Sequence, residues 1–297
     1  MNRLPLKTRV QILNMLVEGA SMRSTSRVAG VSINTVTKLL EDVGAVCSAL
    51  HDDMVRGVNA KRVQCDEIWS FCYAKAKNVQ TAKTAPDDAG DVWTWTALEA
   101  DSKLILSWLA GGRDSQYAVA FMDDVRARIT NRVQLTTDGH KAYLEAVEGA
   151  FGGDVDYAIL HKVYGASPDP TKGKYSPAEC IGIQKRRVEG DPDPKHISTS
   201  YVERQNLTMR MAMRRFTRLT NGFSKKLENH VHALALYFMH YNWMRQHKSL
   251  NKWTPAMAAG LTDRIWTWED ILVIADRAET EAVQAKRLAL LETPQSN

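Results

Sequence analysis

Cys65-Asp66-Glu67-Ile68-Trp69-Ser70-Phe71 sits inside a run, residues 63–73, dense in β-branched and aromatic side chains, and that run reads as a strand. Downstream, residues 92–98 and 103–110 read as two further strands. A helix over 116–129 follows, carrying Ala118, Phe121, Met122, Val125 and Ile129 on one side. A strand at 133–137, a helix at 141–150, a strand at 157–163 and a helix from about Ser200 complete the segment.

The order β-β-β-α-β-α-β-α is that of a ribonuclease H-like α/β fold, a mixed sheet flanked by helices. It assigns residues 62–220 to one domain, with 164–199, rich in Pro, Gly, Lys and Asp, as an insertion that is either a DNA-contacting flap around Lys185-Arg186-Arg187 or a disordered loop. Asp66 then lies within the first strand, Asp138 at the end of the fourth, and Glu203 in the first turn of the last helix. If strands one and four are neighbours, the three acids converge. Carboxylates pushed together repel unless cations sit between them, and oxygen-only ligands suit Mg2+ or Mn2+. Two such ions about 3.5 to 4 Å apart activate an attacking oxygen and stabilise a leaving one on phosphorus. Each acid alone also has a plain reading: Asp138-Gly139 as a turn, and Glu203 as a partner of the helix dipole.

Three strings carry a resemblance: the one around Asp66, Thr137-Asp138-Gly139-His140-Lys141-Ala142-Tyr143, and Tyr201-Val202-Glu203-Arg204-Gln205-Asn206. They resemble the catalytic blocks of insertion-sequence transposases of the DDE superfamily, most closely the family named after insertion sequence one. The likeness runs on through Arg210, Arg214, Arg215 and Thr217-Arg218 to Tyr241-Asn242 and Thr254-Pro255, covering roughly residues 62–260. It implies Asp66, Asp138 and Glu203 as the catalytic, metal-binding triad, with Glu67 competing for the first role. Neighbouring strand residues point to opposite faces, so only one of Asp66 and Glu67 is expected to face the site; the family pattern favours Asp66, and strand physics does not choose. Some relatives carry a cysteine-ligated zinc module. This chain has no C-x-x-C pair among Cys47, Cys65, Cys72 and Cys180, so no zinc is expected.

Glu203, Asn206, Arg210 and Arg214 share one helical stripe, and Arg204 and Arg218 are further candidate DNA contacts on the same cationic segment. This gives a rail of cations for the DNA backbone, with Asn206 orienting an acid or a phosphate. Residues 1–46 read as a helix-turn-helix. A helix over 6–18 and another over 22–29 lead to Ala29-Gly30-Val31-Ser32, where Gly30 takes a left-handed turn and Ser32 caps a third helix. Val31, Val36 and Leu39 close its core, leaving Ser32, Asn34, Thr35 and Lys38 outward for the major groove. Ser26 stands where such motifs prefer alanine. Residues 47–61 read as a helical or loose connector and 221–297 as a C-terminal helical region.

Charge agrees with a polyanionic partner. The net charge is only +5, but residues 1–62 carry nine Lys/Arg against five Asp/Glu, and residues 185–226 carry eleven against four. The apolar runs are far short of the ~20 residues that span a bilayer, and no signal peptide is evident. A soluble, cytoplasmic, nucleoid-associated prokaryotic protein is expected, acting on double-stranded inverted-repeat ends and target DNA as a homodimer or larger assembly. The resemblance implies that water frees a 3′-hydroxyl, which then attacks the target with no covalent protein intermediate. Two other readings stand beside it: a DNA-binding regulator with a non-catalytic ribonuclease H-like domain, and a ribonuclease H-like nuclease without strand transfer.

Overall fold

A six-stranded mixed sheet with helices on its flanks organises the computed structural model, which describes residues 3–165, 180–217 and 221–292. The strands are β1 (Arg62–Cys72), β2 (Gly90–Glu99), β3 (Ile105–Gly111), β4 (Val133–Thr137), β5 (Val155–Tyr164) and β6 (Cys180–Glu189), and their order across the sheet is β3-β2-β1-β4-β5-β6. β1, β2 and β3 form an antiparallel meander, while β4 joins β1 in parallel and β5 joins β4 in parallel. The parallel steps need crossovers, which α5 (Ser115–Arg128) and α6 (Ala142–Phe151) supply. One consequence places the site: β1, β3, β4 and β5 all end at the same rim.

The helix expected over 116–129 buries Ala118, Phe121, Met122 and Val125 as its periodicity requires, and Trp95 of β2 packs between Phe121 and Tyr143. On the other flank lie α7 (Ser200–Ala212) and α8 (Leu227–Met239), followed by the short α9 (Pro255–Ala258) and by α10 (Trp268–Glu292). A single turn, α4 (Ala76–Val79), interrupts the β1–β2 connection.

The described second half of the segment 164–199 begins with a strand and continues as irregular chain over 190–199. The strand is β6, antiparallel to β5 at the sheet edge, with Lys185, Arg186 and Arg187 exposed along it. Residues 166–179 lie outside the described residues. After β6 the chain is tied to the sheet by Gln134, whose amide donates to the Asp193 carbonyl at 3.2 Å and accepts from its N–H at 3.0 Å.

At the amino end, α1 (Leu6–Val17), α2 (Met22–Ala29) and α3 (Ile33–Met54) form with the expected local chemistry. Gly30 has φ 65°, and the Ser32 hydroxyl accepts the Thr35 N–H at 3.1 Å. Val36 and Leu39 are buried and Val31 is half-buried. Ser26 is used rather than merely tolerated, its hydroxyl donating to the Val31 carbonyl at 2.6 Å.

Of the two readings of the connector, helical or loose, residues 47–54 take the helical one, because α3 continues unbroken to Met54. Arg128, 5% exposed, fixes its end by donating to the carbonyls of His51 and Val55 and pairing with Asp52 and Asp124. The apolar side chains of α1 and α3 belong to the same core cluster as the sheet. Gly44 sets the α3–α8 crossing, since a Cβ there would lie 2.5 Å from the Cβ of His232. Alanine is ordinarily the better helix former by ~1 kcal/mol. Here Gly44→Ala is expected to lower stability by ~1–3 kcal/mol through overpacking, read as a lower urea midpoint at unchanged m-value.

Candidate metal centre at the rim of the central strands

Pairing between β1 and β4 runs from Arg62↔Gln134 to Gln64↔Thr136 and then stops. Beyond that point the two strands part, and the acids stand in the gap. One oxygen each from Asp66, Glu67 and Asp138 lies within 4.8 Å of the others. Among the described residues this is the group of His, Cys, Asp and Glu side chains close enough together to hold a metal ion.

The expectation that only one of Asp66 and Glu67 faces the site is corrected here. The alternation holds for the backbone: Asp66 is directed toward α7, where the Asn206 amide donates to its Oδ2 at 2.8 Å. Glu67 goes to the opposite side, where the Tyr143 hydroxyl donates at 3.1 Å. Both carboxylates nevertheless reach Asp138, because β4 has ended and no strand separates the two faces there.

Burial and like charge act together on Asp66. Desolvation first, then the charges of Glu67 and Asp138, and more weakly that of Glu203, push its pKa up to about 7. Glu67 is also raised, by desolvation and by Asp138, against the opposing pull of Arg113. Arg113 Nε donates to Glu67 Oε1 at 2.7 Å, and Nη2 lies 2.7 Å from the same oxygen. Asp138 accepts the His140 N–H at 2.9 Å, closing the Asp138-Gly139-His140 turn. A Cβ on Gly139 would lie 2.5 Å from Nδ1 of His161, so this turn passes β5 in close contact.

Glu203 stands apart from the cluster. Its carboxylate accepts the Thr199 hydroxyl at 2.6 Å and pairs with the Lys162 ammonium from β5. The remaining sequence-derived positions divide. Asn206 is buried and committed to Asp66, so it orients an acid and is not a surface contact. Arg204 is exposed on α7. Arg210 is half-buried on the same helix. Arg214 leaves the stripe altogether, because α7 ends at Ala212 and Arg214–Phe216 form a separate 3-10 turn; it lines a small recess with Leu16, Val17 and Leu40. Arg218 lies outside the described residues. On α3, Ser32, Asn34 and Lys38 are exposed and Thr35 is half-buried, with Lys38 paired to Asp42 at 2.7 Å.

Arg113, Tyr143, Lys162 and Thr199 were not singled out from sequence. A usable signal existed for two of them: Arg113 follows β3 and Lys162 sits late in β5, both at the strand ends where the acids are. A larger cleft of about 740 Å3 opens at the opposite end of the sheet, lined by Lys61, Arg62, Asp101 and His196 among others, away from this chemistry.

No protein-family model matches the chain, and no curated protein matches it. Among solved structures, a similar one is a piggyBac transposase synaptic complex with hairpin DNA, determined by cryo-electron microscopy. It is 10% identical with a TM-score of 0.36, and the match covers 99% of this chain and 75% of that one. No helix among the described residues is long and apolar enough to cross a membrane.

The raised pKa of Asp66 has a stability consequence. An unfolded Asp releases its proton near pH ~4, whereas the folded chain holds this one to about pH 7. The group's contribution is therefore full below pH ~4 and is lost as pH rises through 7. The metal-free protein is expected to lose Tm between pH 5 and 8. Asp66→Asn should flatten that slope, and millimolar Mg2+ should restore the native Tm at pH 8 but not that of the variant, as read by differential scanning fluorimetry.

Proposed function

We propose that this chain is a DDE-type transposase of the insertion-sequence kind, most similar to the family named after insertion sequence one, with a ribonuclease H-like sheet as its catalytic body. The observation that carries the reading is the approach of Asp66, Glu67 and Asp138 within 4.8 Å at the strand ends, with Asn206 of α7 reaching in to Asp66. The donors are all oxygens, and the amide oxygen of Asn206 is buried without a hydrogen-bond partner among the described residues. Such a set fits hard divalent cations, Mg2+ or Mn2+, two in number. Asp66 and Asp138 would hold them, joined by Glu203. When bound, such ions supply charge stabilisation at the oxygens entering and leaving phosphorus.

The protein's own residues do the rest. Asn206 fixes the rotamer of Asp66, and Tyr143 and Arg113 hold Glu67 as an accessory acid. Lys162 and Thr199 keep Glu203 in reserve at the edge of the cluster. Arg204, Arg210 and Arg218 would meet the DNA backbone. The α1–α3 unit would act as the helix-turn-helix that binds inverted-repeat ends, through Ser32, Asn34, Thr35 and Lys38. Arg214, turned toward that unit, would contribute by fixing it to α7. Two ends must be held at once, so a homodimer or larger assembly on DNA, in the nucleoid of a prokaryotic cell, is part of the proposal.

The test is Mg2+-dependent cleavage and joining of oligonucleotides bearing the inverted repeats that flank the gene. Asp66→Asn, Asp138→Asn and Glu203→Gln are each expected to lower strand transfer at least ~100-fold, the scale of losing a charge-stabilising group. Full strand transfer by Asp66→Asn would sink the assignment. Binding without cleavage by the native protein under Mg2+ and Mn2+ would favour a regulator instead.

A second expectation concerns the Lys162–Glu203 pair. If Glu203 joins the cations only after leaving Lys162, then Lys162→Met should tighten Mn2+ binding ~5-fold, the scale of a partly exposed ion pair. Lys162→Met/Glu203→Gln should abolish the gain, with free Mn2+ counted by electron paramagnetic resonance.

A further inference from the structure

We propose that Arg113 is a phosphate-binding position, clamped by Glu67 and stacked on Trp93, that receives a DNA backbone phosphate beside the metal-holding acids. This rests on the functional reading above and assigns the polyanion a contact that none of the basic residues of α3 or α7 provides. The clamp is unusually complete. The Glu67 side chain has no solvent exposure, and both its oxygens are taken, Oε1 by Nε and Nη2 of Arg113 and Oε2 by the Tyr143 hydroxyl. The guanidinium carbon lies 4.4 Å from the centre of the Trp93 ring, yet the Arg113 side chain keeps 39% of its exposure.

The backbone beneath it is fixed as well. A Cβ on Gly111 would meet the Tyr117 ring at 1.9 Å, so the Gly111-Gly112 turn lies directly on that ring. The Asp114 carboxylate caps α5 through the N–H groups of Gln116 and Tyr117 at 3.0 and 3.4 Å. Finally, the His140 ring nitrogen Nε2 lies 3.2 Å from the Arg113 carbonyl, while the His140 N–H holds Asp138. The loop bearing Arg113 is thereby tied to the loop bearing a metal-holding acid.

A plain counter-ion for Glu67 needs one contact and no stacking. A planar fork held on one edge, supported on one face and still open to solvent is what a directed contact to a phosphate oxygen requires. Glu67 is on this account a positioning residue for Arg113, which also explains why Asp66, held by the amide of Asn206 and by no cation among the described residues, is the acid free to take a cation.

The experiment pairs two readouts on the full chain: fluorescence anisotropy of a labelled duplex of arbitrary sequence over a KCl series, and Mn2+ binding by electron paramagnetic resonance. Arg113→Ala is expected to weaken duplex binding about tenfold at low salt and to reduce the log–log salt slope by ~0.9, while Mn2+ binding is kept or tightened because a protein cation beside the acids is lost. Arg113→Lys should keep the slope but lose affinity severalfold. Because Arg113→Ala strands a buried carboxylate, Arg113→Ala/Glu67→Gln serves as the variant that removes both charges and should show the same DNA defect. Native affinity and slope for duplex in either alanine variant, with Mn2+ still bound, would overturn this inference alone. So would loss of Mn2+ binding in Glu67→Gln but not in Asp66→Asn. A native protein that binds neither duplex nor Mn2+ would overturn the functional reading and this inference together.

Discussion

Where β1 and β4 cease to pair, three carboxylates occupy a space that a continuous sheet would have filled with backbone, and much of the molecule is arranged around that fact. Desolvation first, then the charges of Glu67 and Asp138 within 4.8 Å, raise the proton affinity of Asp66, pushing its pKa up to about 7. The chain answers the crowding from two sides: Arg113 on one face and Lys162 on the other bring cations to Glu67 and Glu203. Among the described residues Asp66 and Asp138 have no such partner. The asymmetry separates acids paired with a protein cation from acids that are not.

The amino-terminal helices are coupled to this rim mechanically. Gly19, at the α1–α2 turn, packs on the last carbonyls of α7, with Ala212 O 3.3 Å from where its Cβ would be. α7 is also the helix that delivers Asn206 and Glu203. At its far end α3 is fixed by Arg128, and at its middle by the glycine contact with α8. The apolar side chains of α1, α3 and the sheet share one core cluster, so these helices and the rim are packed together.

Much of this was legible before any coordinates. The strand around Asp66, the amphipathic helix over 116–129, the Asp138-Gly139 turn and the Gly30–Ser32 turn and cap are local events, decided by periodicity and by the φ and capping preferences of residues close in sequence. Failures came where a distant partner decides. The segment after residue 164 reads as irregular because β6 has Gly182 and a cationic run in place of alternation, and an edge strand needs no buried face to be held by its ladder to β5. The rail of cations broke at Arg214 because α7 ends at Ala212, one turn sooner than a purely helical stripe assumes. For Asn206 the sequence left an acid and a phosphate open as partners, and it takes the acid because Asp66 lies within reach.

The order of elements, the placement of one acid on each of three of them, and the cap and turn chemistry of the first three helices belong to the sequence alone, since each follows from neighbours a few residues away. Tertiary structure decided which carboxylates are free. Glu67 and Asp66 are adjacent in the chain and chemically almost interchangeable; what distinguishes them is Arg113 on one side and Asn206 on the other, 46 and 140 residues away. Strand alternation could say that the two acids point apart, but only the place where β4 stops allowed both to reach Asp138.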